Sequence, residues 1–262
     1  MSRHVRELFD LKGRAALVTG GSRGLGLQVA EALAEAGARV MLTSRKTADL
    51  EASVEQLAGR GLQADFVAGD SAKSEDIERI CRTCIERFGA IDILVNNAGA
   101  TWGAPAEDYP IEAWDKVFNL NVRSAFLFSQ FAARQSMIPR RNGRIVMMAS
   151  VAGLGGNVPG LEMVAYNTSK AALINLTRAL AGEWGEFGIN VNALAPGFFL
   201  TKMTKGTLEG HGMEAHLAKV PLHRLGDDED LKGSAVLLAS DAGKHITGQV
   251  LPIDGGLSAV NG

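Results

Sequence analysis

The sequence predicts a doubly wound α/β domain, with a parallel sheet covered by helices on both faces. Short apolar runs alternate with helical patterns from Arg14 to the end of the chain. Glycines stop the first apolar run and a helix follows at once, which is typical of a βα unit. No repeat, low-complexity stretch or Pro/Ser-rich linker interrupts the 262 residues, so we expect one domain over residues 1–262.

Seven apolar runs are predicted to be strands because each is short and bounded by glycines, turns or helical patterns. Their apolar character on both faces indicates a sheet buried on both sides. The predicted strands are Ala15–Val18, Arg39–Thr43, Ala64–Ala68, Ile91–Val95, Arg144–Ala149, Ile189–Leu194 and Val250–Ile253.

The helices between these strands are predicted from apolar spacing and from their terminal residues. Ser74 is a candidate N-cap, with acidic residues in the turn that follows it. Glycines are candidate C-terminal residues of two helices. The predicted segments are Leu25–Ala36 closed by Gly37, a helix containing Leu50–Leu57, a helix from Ser74 to Gly89, and Ala171–Leu180.

Charge and composition exclude several classes of protein. The net charge of −2 gives no reason to expect nucleic acid or an anionic membrane as a partner. No apolar run is long enough to span a bilayer, and the first ten residues lack the apolar core of a signal peptide. We therefore expect a cytoplasmic protein that does not bind membranes.

The two cysteines, Cys81 and Cys84, match a redox Cys-x-x-Cys pattern only superficially. Both fall in an apolar stripe at helical spacing, away from a helix N-terminus that would stabilise a thiolate. Core packing is the favoured interpretation. Two cysteines cannot complete a zinc site alone, and His-Glu-x-x-His is absent, so no metal is expected.

A glycine-rich loop follows the first predicted strand. Residues Thr19–Gly26 read Thr-Gly-Gly-Ser-Arg-Gly-Leu-Gly and lead directly into a helix. Glycines let the backbone approach a pyrophosphate, and the helix N-terminus offers free N–H groups. The spacing differs from the usual Gly-x-Gly-x-x-Gly, so a simple tight βα turn explains this loop equally well.

The end of the second strand indicates which dinucleotide would bind. NAD sites usually carry an acidic residue there, whereas this chain reads Thr43-Ser44-Arg45-Lys46. Arg45 is positioned to pair with a 2′-phosphate, and Arg23 in the glycine loop to meet it from the other side. Solvated surface arginines are the alternative. The absence of an acid favours NADP(H).

A tyrosine, a lysine and a serine form a candidate catalytic set. Tyr166 and Lys170 are four residues apart and share one helix face. A free tyrosine, with a pKa of roughly 10, is a poor acid at neutral pH, but a nearby ammonium would lower that pKa. Ser150 follows the fifth strand and is positioned to donate to a substrate oxygen. A serine hydrolase is excluded because Gly-x-Ser-x-Gly is absent around Ser150.

These motifs together resemble the classical short-chain dehydrogenase/reductase family, from about Asp10 to Gly256. Asn96-Asn97-Ala98-Gly99 and Asp254-Gly255-Gly256 match two further family signatures. The resemblance implies a Rossmann-like fold and an NADP(H)-dependent enzyme. It implies cofactor binding by Gly20, Ser22, Arg23, Gly24, Leu25, Gly26, Ser44, Arg45, Asp70, Ser71, Asn97, Ala98, Gly99, Tyr166, Lys170, Pro196, Gly197 and Thr201.

The resemblance also implies the catalytic roles. Tyr166 would protonate the carbonyl oxygen, Ser150 would position it, and Asn121 would hold a water that joins Lys170 to a proton relay. Relatives are usually homotetramers or homodimers built on the helices that contain Asn121 and Tyr166. A non-catalytic dinucleotide sensor is the competing class, but such proteins usually lack the tyrosine or the lysine.

The substrate is less narrowly defined by the sequence. Sixteen positions separate Ser150 from Tyr166, more than the commonest family spacing, and a segment near residues 198–221 is expected to cover the site. Residues 97–104 and the ending at residues 250–256 resemble β-ketoacyl reductases, which favours a 3-oxoacyl thioester or a similar hydrophobic ketone. Residues 232–260 also resemble gluconate 5-dehydrogenase, so a sugar acid is the alternative. Candidate apolar pocket residues are Trp102, Leu154, Met163, Phe198, Phe199 and Met203.

A basic group beside the fifth strand suggests two interpretations. The arginines are either a surface for an acidic carrier protein or coenzyme A, or an ordinary solvated face, which is favoured. Phe187 stands where carrier-binding relatives often have a basic residue, which weakens the first interpretation. The group comprises Arg134, Arg140, Arg141 and Arg144.

Overall fold

A computed structural model describes residues 2–157, 160–200, 214 and 217–260. It contains a seven-stranded sheet in the order β3-β2-β1-β4-β5-β6-β7, and every strand pair in it is parallel. The predicted fold class is confirmed. The strands are β1 Ala15–Thr19, β2 Arg39–Ser44, β3 Ala64–Ala68, β4 Ile93–Asn96, β5 Gly143–Met148, β6 Ile189–Pro196 and β7 Val250–Ile253.

Helices cover both faces of this sheet. Two π-helical turns, Asn119–Arg123 and Ala133–Met137, join three consecutive α-helices into one continuous helical segment. Among the described residues, no helix combines the length and the apolarity needed to cross a membrane. The α-helices within the described residues are α1 Val5–Leu8, α2 Gly24–Glu35, α3 Thr47–Ala58, α4 Ser74–Phe88, α5 Ile111–Phe118, α6 Ser124–Ala132, α7 Ile138–Arg140, α8 Val164–Trp184 and α9 Lys232–Ala239.

Two apolar layers lie on opposite faces of the sheet. Leu17 of β1 packs in the layer with α4, α6 and α8, and its neighbour Val18 packs in the layer with α2, α3 and α9. This alternation follows from the two-residue period of a strand. Cys81 and Cys84 are fully buried in the first layer, and burial raises the pKa of both thiols, that of Cys84 to about 12. The prediction of core packing is confirmed.

Two local predictions are wrong because distant partners recruit the side chains. Ser74 is the first residue of α4 and not its N-cap, which is Lys73. Its hydroxyl instead accepts a hydrogen bond of 2.8 Å from Arg123. Arg144 is not on a solvated face, since it is buried and pairs with Asp241 at 3.3 Å.

The remaining arginines of the predicted basic group also differ from one another in their surroundings. Arg140 pairs closely with Asp92, and Arg141 donates to the carbonyl of Glu186. Arg134 is exposed. With two of its members paired to carboxylates, the group does not form the single basic surface that an acidic carrier would need.

A side-chain clamp joins the ends of β1 and β4. The Thr19 hydroxyl accepts hydrogen bonds from the backbone N–H groups of Asn97 and Ala98, each at 3.0 Å. The Asn97 amide in turn donates to the carbonyls of Thr19 at 2.9 Å and Gly20 at 3.1 Å. These bonds set the position of the glycine loop against the loop that follows β4.

Replacing Thr19 with valine should lower the free energy of unfolding by about 1–3 kcal/mol, because two partly buried N–H groups lose their acceptor. The loss is measured by urea denaturation. The matched control is Thr177→Val in α8, where the buried hydroxyl only donates to the carbonyl of Leu173 and no N–H group loses an acceptor. Equal losses in the two variants would contradict the clamp.

Candidate active site

A cleft of about 550 Å³ opens at the carboxyl edge of the sheet. Ser150 and every predicted cofactor residue except Thr201 line it, and Thr201 lies outside the described residues. The cleft therefore brings together the glycine loop, the end of β2, the loops after β3 and β4, and the tyrosine–lysine pair. Phe199, a candidate apolar pocket residue, lines it too, and the lining residues that the sequence analysis did not select are Lys46, Asp49, Gly69, Leu120, Met148, Ala149 and Leu200.

The glycine loop forms a close-fitting cradle at one end of the cleft. Gly20 has a φ of +61°, a conformation that L side chains rarely adopt. A Cβ atom at Gly26 would lie 2.4 Å from the carbonyl oxygen of Gly20 and 2.4 Å from the side-chain amide nitrogen of Asn97. Only glycine fits there. The loop leads into the N-terminus of α2 at Gly24, so free N–H groups face the position suited to a pyrophosphate.

The end of β2 offers the groups that a phosphate needs. The Ser44 hydroxyl is buried and has no hydrogen-bond partner within the described part of the chain. Arg45 and Lys46 are exposed and line the cleft beside it. A buried hydroxyl beside two cations fits a 2′-phosphate, because phosphate oxygens accept from both. Lys46 could have been identified from the sequence, since it follows Arg45 directly.

Tyr166 and Lys170 lie on the same face of α8, as predicted. The Lys170 nitrogen is 5.5 Å from the centroid of the Tyr166 ring and donates a 2.6 Å hydrogen bond to the carbonyl of Met148 at the end of β5. The Ser150 hydroxyl accepts a 3.1 Å bond from the N–H of Ala152, which leaves its own proton available to another acceptor.

The predicted effect of Lys170 on Tyr166 is wrong for this structure. Burial raises the pKa of Tyr166, and the Ser150 hydroxyl opposes that shift only in part. Burial also lowers the pKa of Lys170 to about 8. Desolvation disfavours the charged form of each group, and it is the largest cause of both shifts.

Asn121 is buried in the π-helical turn between α5 and α6 and is not among the residues that line the cleft. Its side chain accepts from the N–H of Ala100 at 2.7 Å and donates to the carbonyl of Ala100 at 3.0 Å. It also donates to the Ser169 hydroxyl at 2.9 Å, and Ser169 donates to the carbonyl of Tyr166 at 2.7 Å. The side chain of Asn121 thus braces the first turn of α8.

Ser169 is the residue of this network that the sequence analysis missed. It lies three positions after Tyr166, within the segment Tyr-Asn-Thr-Ser-Lys. That spacing places it one turn further along the same helix. Its partner Asn121 is 48 positions away, so no local pattern could have identified the contact.

The Asp254-Gly255-Gly256 signature supports the far wall of the cleft. Asp254 accepts hydrogen bonds from the N–H groups of Gly256 at 2.9 Å and Ser258 at 2.8 Å. A Cβ atom at Gly197 would lie 2.8 Å from the Cβ of Asp254, so this turn packs directly against the Pro196-Gly197 segment. The signature therefore acts on the cleft through packing.

The predicted apolar pocket is only partly assembled in the described residues. Trp102 and Leu154 are exposed, and Thr101 contacts the sulfur of Met163 at 3.6 Å. Phe199 is fully buried, and its ring occupies the space beside Gly226, so it belongs to the core as well as to the cleft wall. Met203 lies outside the described residues, as does most of the predicted covering segment 198–221.

A second, smaller cleft of about 290 Å³ lies between residues 104–107 on one side and residues 157 and 160–164 on the other. The N–H of Ala104 donates to the carbonyl of Glu162 at 2.9 Å, which ties its two walls together. Two carboxylates, Glu107 and Glu162, line it, and no basic side chain does so among the described residues. Within the same residues, no group of three or more potential ligands is placed to hold a metal ion.

Comparison with known proteins identifies the family. The family model described as enoyl-(acyl carrier protein) reductase matches residues 20–258. The rhamnolipid biosynthesis 3-oxoacyl-[acyl-carrier-protein] reductase of Pseudomonas aeruginosa is 40% identical over 95% of this chain and 97% of its own length. The gluconate 5-dehydrogenase of Gluconobacter oxydans is 38% identical over 96% of this chain and 97% of its own.

A solved structure agrees with both. The gluconate 5-dehydrogenase of Burkholderia cenocepacia, in complex with NADP and tartrate, superimposes with a TM-score of 0.93 at 33% identity and covers 98% of this chain and 100% of its own. Sequence, fold and site geometry lead to the same family. This chain belongs to the short-chain dehydrogenase/reductase family and is an oxidoreductase that acts on CH–OH groups.

Proposed function

We propose that this enzyme uses NADP(H) to interconvert a ketone and a secondary alcohol, with a 3-oxoacyl thioester as the favoured substrate. The observation that carries the proposal is a single cleft in which a phosphate-binding end and the Tyr166–Lys170 pair lie along the same sheet edge. The NADP-bound relative supports the choice of cofactor. The intact tyrosine and lysine argue against the non-catalytic sensor.

In the proposed reaction, the nicotinamide supplies or accepts the hydride. Tyr166 donates its phenolic proton to the carbonyl oxygen during reduction, and its raised pKa keeps that proton in place at neutral pH. The Ser150 hydroxyl donates to the same oxygen and stabilises the developing charge. Lys170 supplies positive charge beneath the ring, and the Asn121–Ser169 contacts hold the first turn of α8 in position. We include in this proposal a water, held by Asn121, that would join Lys170 to a proton relay.

We propose that both ends of the cleft bind the cofactor. The cradle of residues 20–26 would bind the pyrophosphate, and Ser44, Arg45 and Arg23 the 2′-phosphate. Asp70 and Ser71 would contact the adenine, and Asn97, Ala98 and Gly99, which line the same cleft, would also bind the cofactor. Pro196, Gly197 and Thr201 would meet the carboxamide.

The surroundings of the catalytic end favour an apolar acyl substrate. Leu154 and Trp102 present 43% and 47% of their surface to solvent, and Leu200 presents 66%, which leaves apolar area for an acyl chain to cover. Glu107 and Glu162 would repel the carboxylate of a sugar acid. A gluconate 5-dehydrogenase activity remains the second candidate, because the relatives of that name are nearly as similar.

We also propose that the enzyme is a homotetramer or homodimer. Phe126, on the outer face of α6, and Leu251, on the edge strand β7, are 38% and 37% exposed. Apolar side chains at these two places are suited to contacts between copies.

With NADPH, the enzyme should reduce acetoacetyl-CoA and longer 3-oxoacyl thioesters with a higher kcat/KM than 5-ketogluconate, because Glu107 and Glu162, which line the smaller cleft, would repel the carboxylate of the latter. NADPH oxidation is followed by the loss of absorbance of the reduced nicotinamide. A preference for 5-ketogluconate would establish the second candidate.

The control for this assay is Tyr166→Phe. It should reduce kcat by about 10²–10⁴-fold, because the proton donor is lost, while the affinity for NADPH is retained. An unchanged kcat would contradict the catalytic assignment, and a wild type that binds NADPH without turning over any ketone in the panel would support the sensor.

The value of kcat/KM for NADPH should fall as the pH rises through about 8, because the free enzyme then loses the positive charge of Lys170. Protonated lysine is the active form, so activity is retained below this pH and lost above it. The raised pKa of Tyr166 keeps the phenol protonated through this range and assigns the descending limb to the lysine. A profile that is flat up to the ordinary lysine pKa, about 10.4, would contradict the assignment.

Combining Ser44→Asp with Arg45→Ala should move cofactor preference from NADPH towards NADH. The carboxylate would accept from the ribose hydroxyl of NADH and repel the phosphate of NADPH. The ratio of kcat/KM for the two cofactors measures the change. Arg134→Ala, which removes an exposed guanidinium that does not line the cleft, is the control and should leave the ratio unchanged. Unchanged selectivity in the double variant would overturn the proposed phosphate site.

A further inference from the structure

A carboxylate lies among the basic groups at the phosphate end of the cleft. Asp49, in the first turn of α3, lines the cleft together with Arg23, Arg45 and Lys46. Its carboxylate is 3.8 Å from the guanidinium of Arg23, and the two side chains are 37% and 63% exposed. This is a loose ion pair that a stronger anion can displace.

The side chain of Ser53 holds α3, and with it Asp49, close to the glycine loop. Ser53, one turn further along α3, is buried, and its hydroxyl is 2.9 Å from the carbonyl of Ser22 and 2.8 Å from the carbonyl of Asp49. Since Ser22 precedes Arg23 directly, this contact keeps α3 against the loop that carries the arginine. Asp49 therefore stays near Arg23 when a ligand enters the cleft.

We propose that Asp49 is a specificity-determining residue that weakens the binding of 2′-phosphorylated cofactors relative to unphosphorylated ones. The proposal builds on the proposed function, in which Ser44, Arg45 and Arg23 bind the 2′-phosphate. Asp49 competes with that phosphate for Arg23 and repels it. NADH and NAD⁺ carry a hydroxyl at the same place and are affected much less.

An acidic residue at position 49 is explained by its place in the first turn of α3. A carboxylate in the first turn stabilises the helix, and the N-cap of α3, Lys46, makes no side-chain capping bond. The same charge limits the affinity of a cleft that otherwise offers the phosphate three cations and a buried hydroxyl with no partner among the described residues. Asp49 thus makes the oxidised and reduced phosphorylated cofactors easier to release.

The test measures the dissociation constants of NADPH and NADH for the full-length enzyme by fluorescence titration. Asp49→Asn should tighten NADPH binding about threefold to tenfold, the size expected for one partly screened charge, and change NADH binding less than about twofold. Asp49→Glu retains the charge and should behave as the wild type. Glu51→Gln removes an exposed charge from the same helix that does not line the cleft, and should change neither constant.

The salt dependence gives a second measurement. The gain in Asp49→Asn should shrink at about 1 M salt, where the screening length is about 3 Å. Weaker NADPH binding in Asp49→Asn would overturn the proposal, because the carboxylate would then be orienting Arg23 productively. Equal tightening of both cofactors would also overturn it. A thermal melt of each variant verifies folding.

Failure of the proposed function gives a different result. A wild-type enzyme that binds NADH more tightly than NADPH, or binds neither, would contradict the phosphate site itself, whatever the variants show. If the wild type prefers NADPH, only the ratio between the cofactors in Asp49→Asn decides the role of Asp49.

Discussion

The hydroxyl of Thr19 is the contact on which the geometry of the active site depends. It joins the ends of β1 and β4, which are adjacent in the sheet although 78 positions separate Thr19 from Asn97. The chain reverses its direction of winding between these strands, and the crevice at such a reversal is where open α/β sheets bind ligands. By satisfying two N–H groups at the floor of that crevice, Thr19 holds the glycine loop and the Asn97-Ala98-Gly99 loop together. Asn121 then contacts the same loop from behind.

Desolvation gives the catalytic end its chemical character. Lys170 is buried and directs its ammonium to the carbonyl of Met148, and Tyr166 sits above it. Burial raises the pKa of Tyr166 and lowers the pKa of Lys170, so it favours the neutral form of each side chain. The phenol therefore keeps its proton at neutral pH, and the pKa of the lysine falls to about 8. A polar network that includes Asn121 and Ser169 supplies the rigidity that a buried pair requires.

The two ends of the active-site edge differ in charge. Arg23, Arg45 and Lys46 make the phosphate end basic, and Asp49 moderates it. Glu107 and Glu162 make the smaller cleft, near the N-terminus of α8, acidic. Under the proposed function, such a field would orient an anionic cofactor in one direction and disfavour anionic groups near the smaller cleft. Leu200, which lines the larger cleft, is exposed and adds apolar surface to it.

The sequence by itself determined the features that depend on local spacing. The bounds of β3 and β7, the glycine loop, the burial of Cys81 and Cys84, and the shared face of Tyr166 and Lys170 all follow from strand and helix periods. Family resemblance added residues whose roles no period reveals, such as Asn121. Only the tertiary structure decided which distant partners each polar side chain meets. Ser74 binds Arg123, Arg144 binds Asp241, Ser169 binds Asn121 and Asp49 approaches Arg23, because contacts between separate elements are created by packing. The direction of the Tyr166 pKa shift was decided in the same way, since the cost of burying a charge depends on everything that surrounds it.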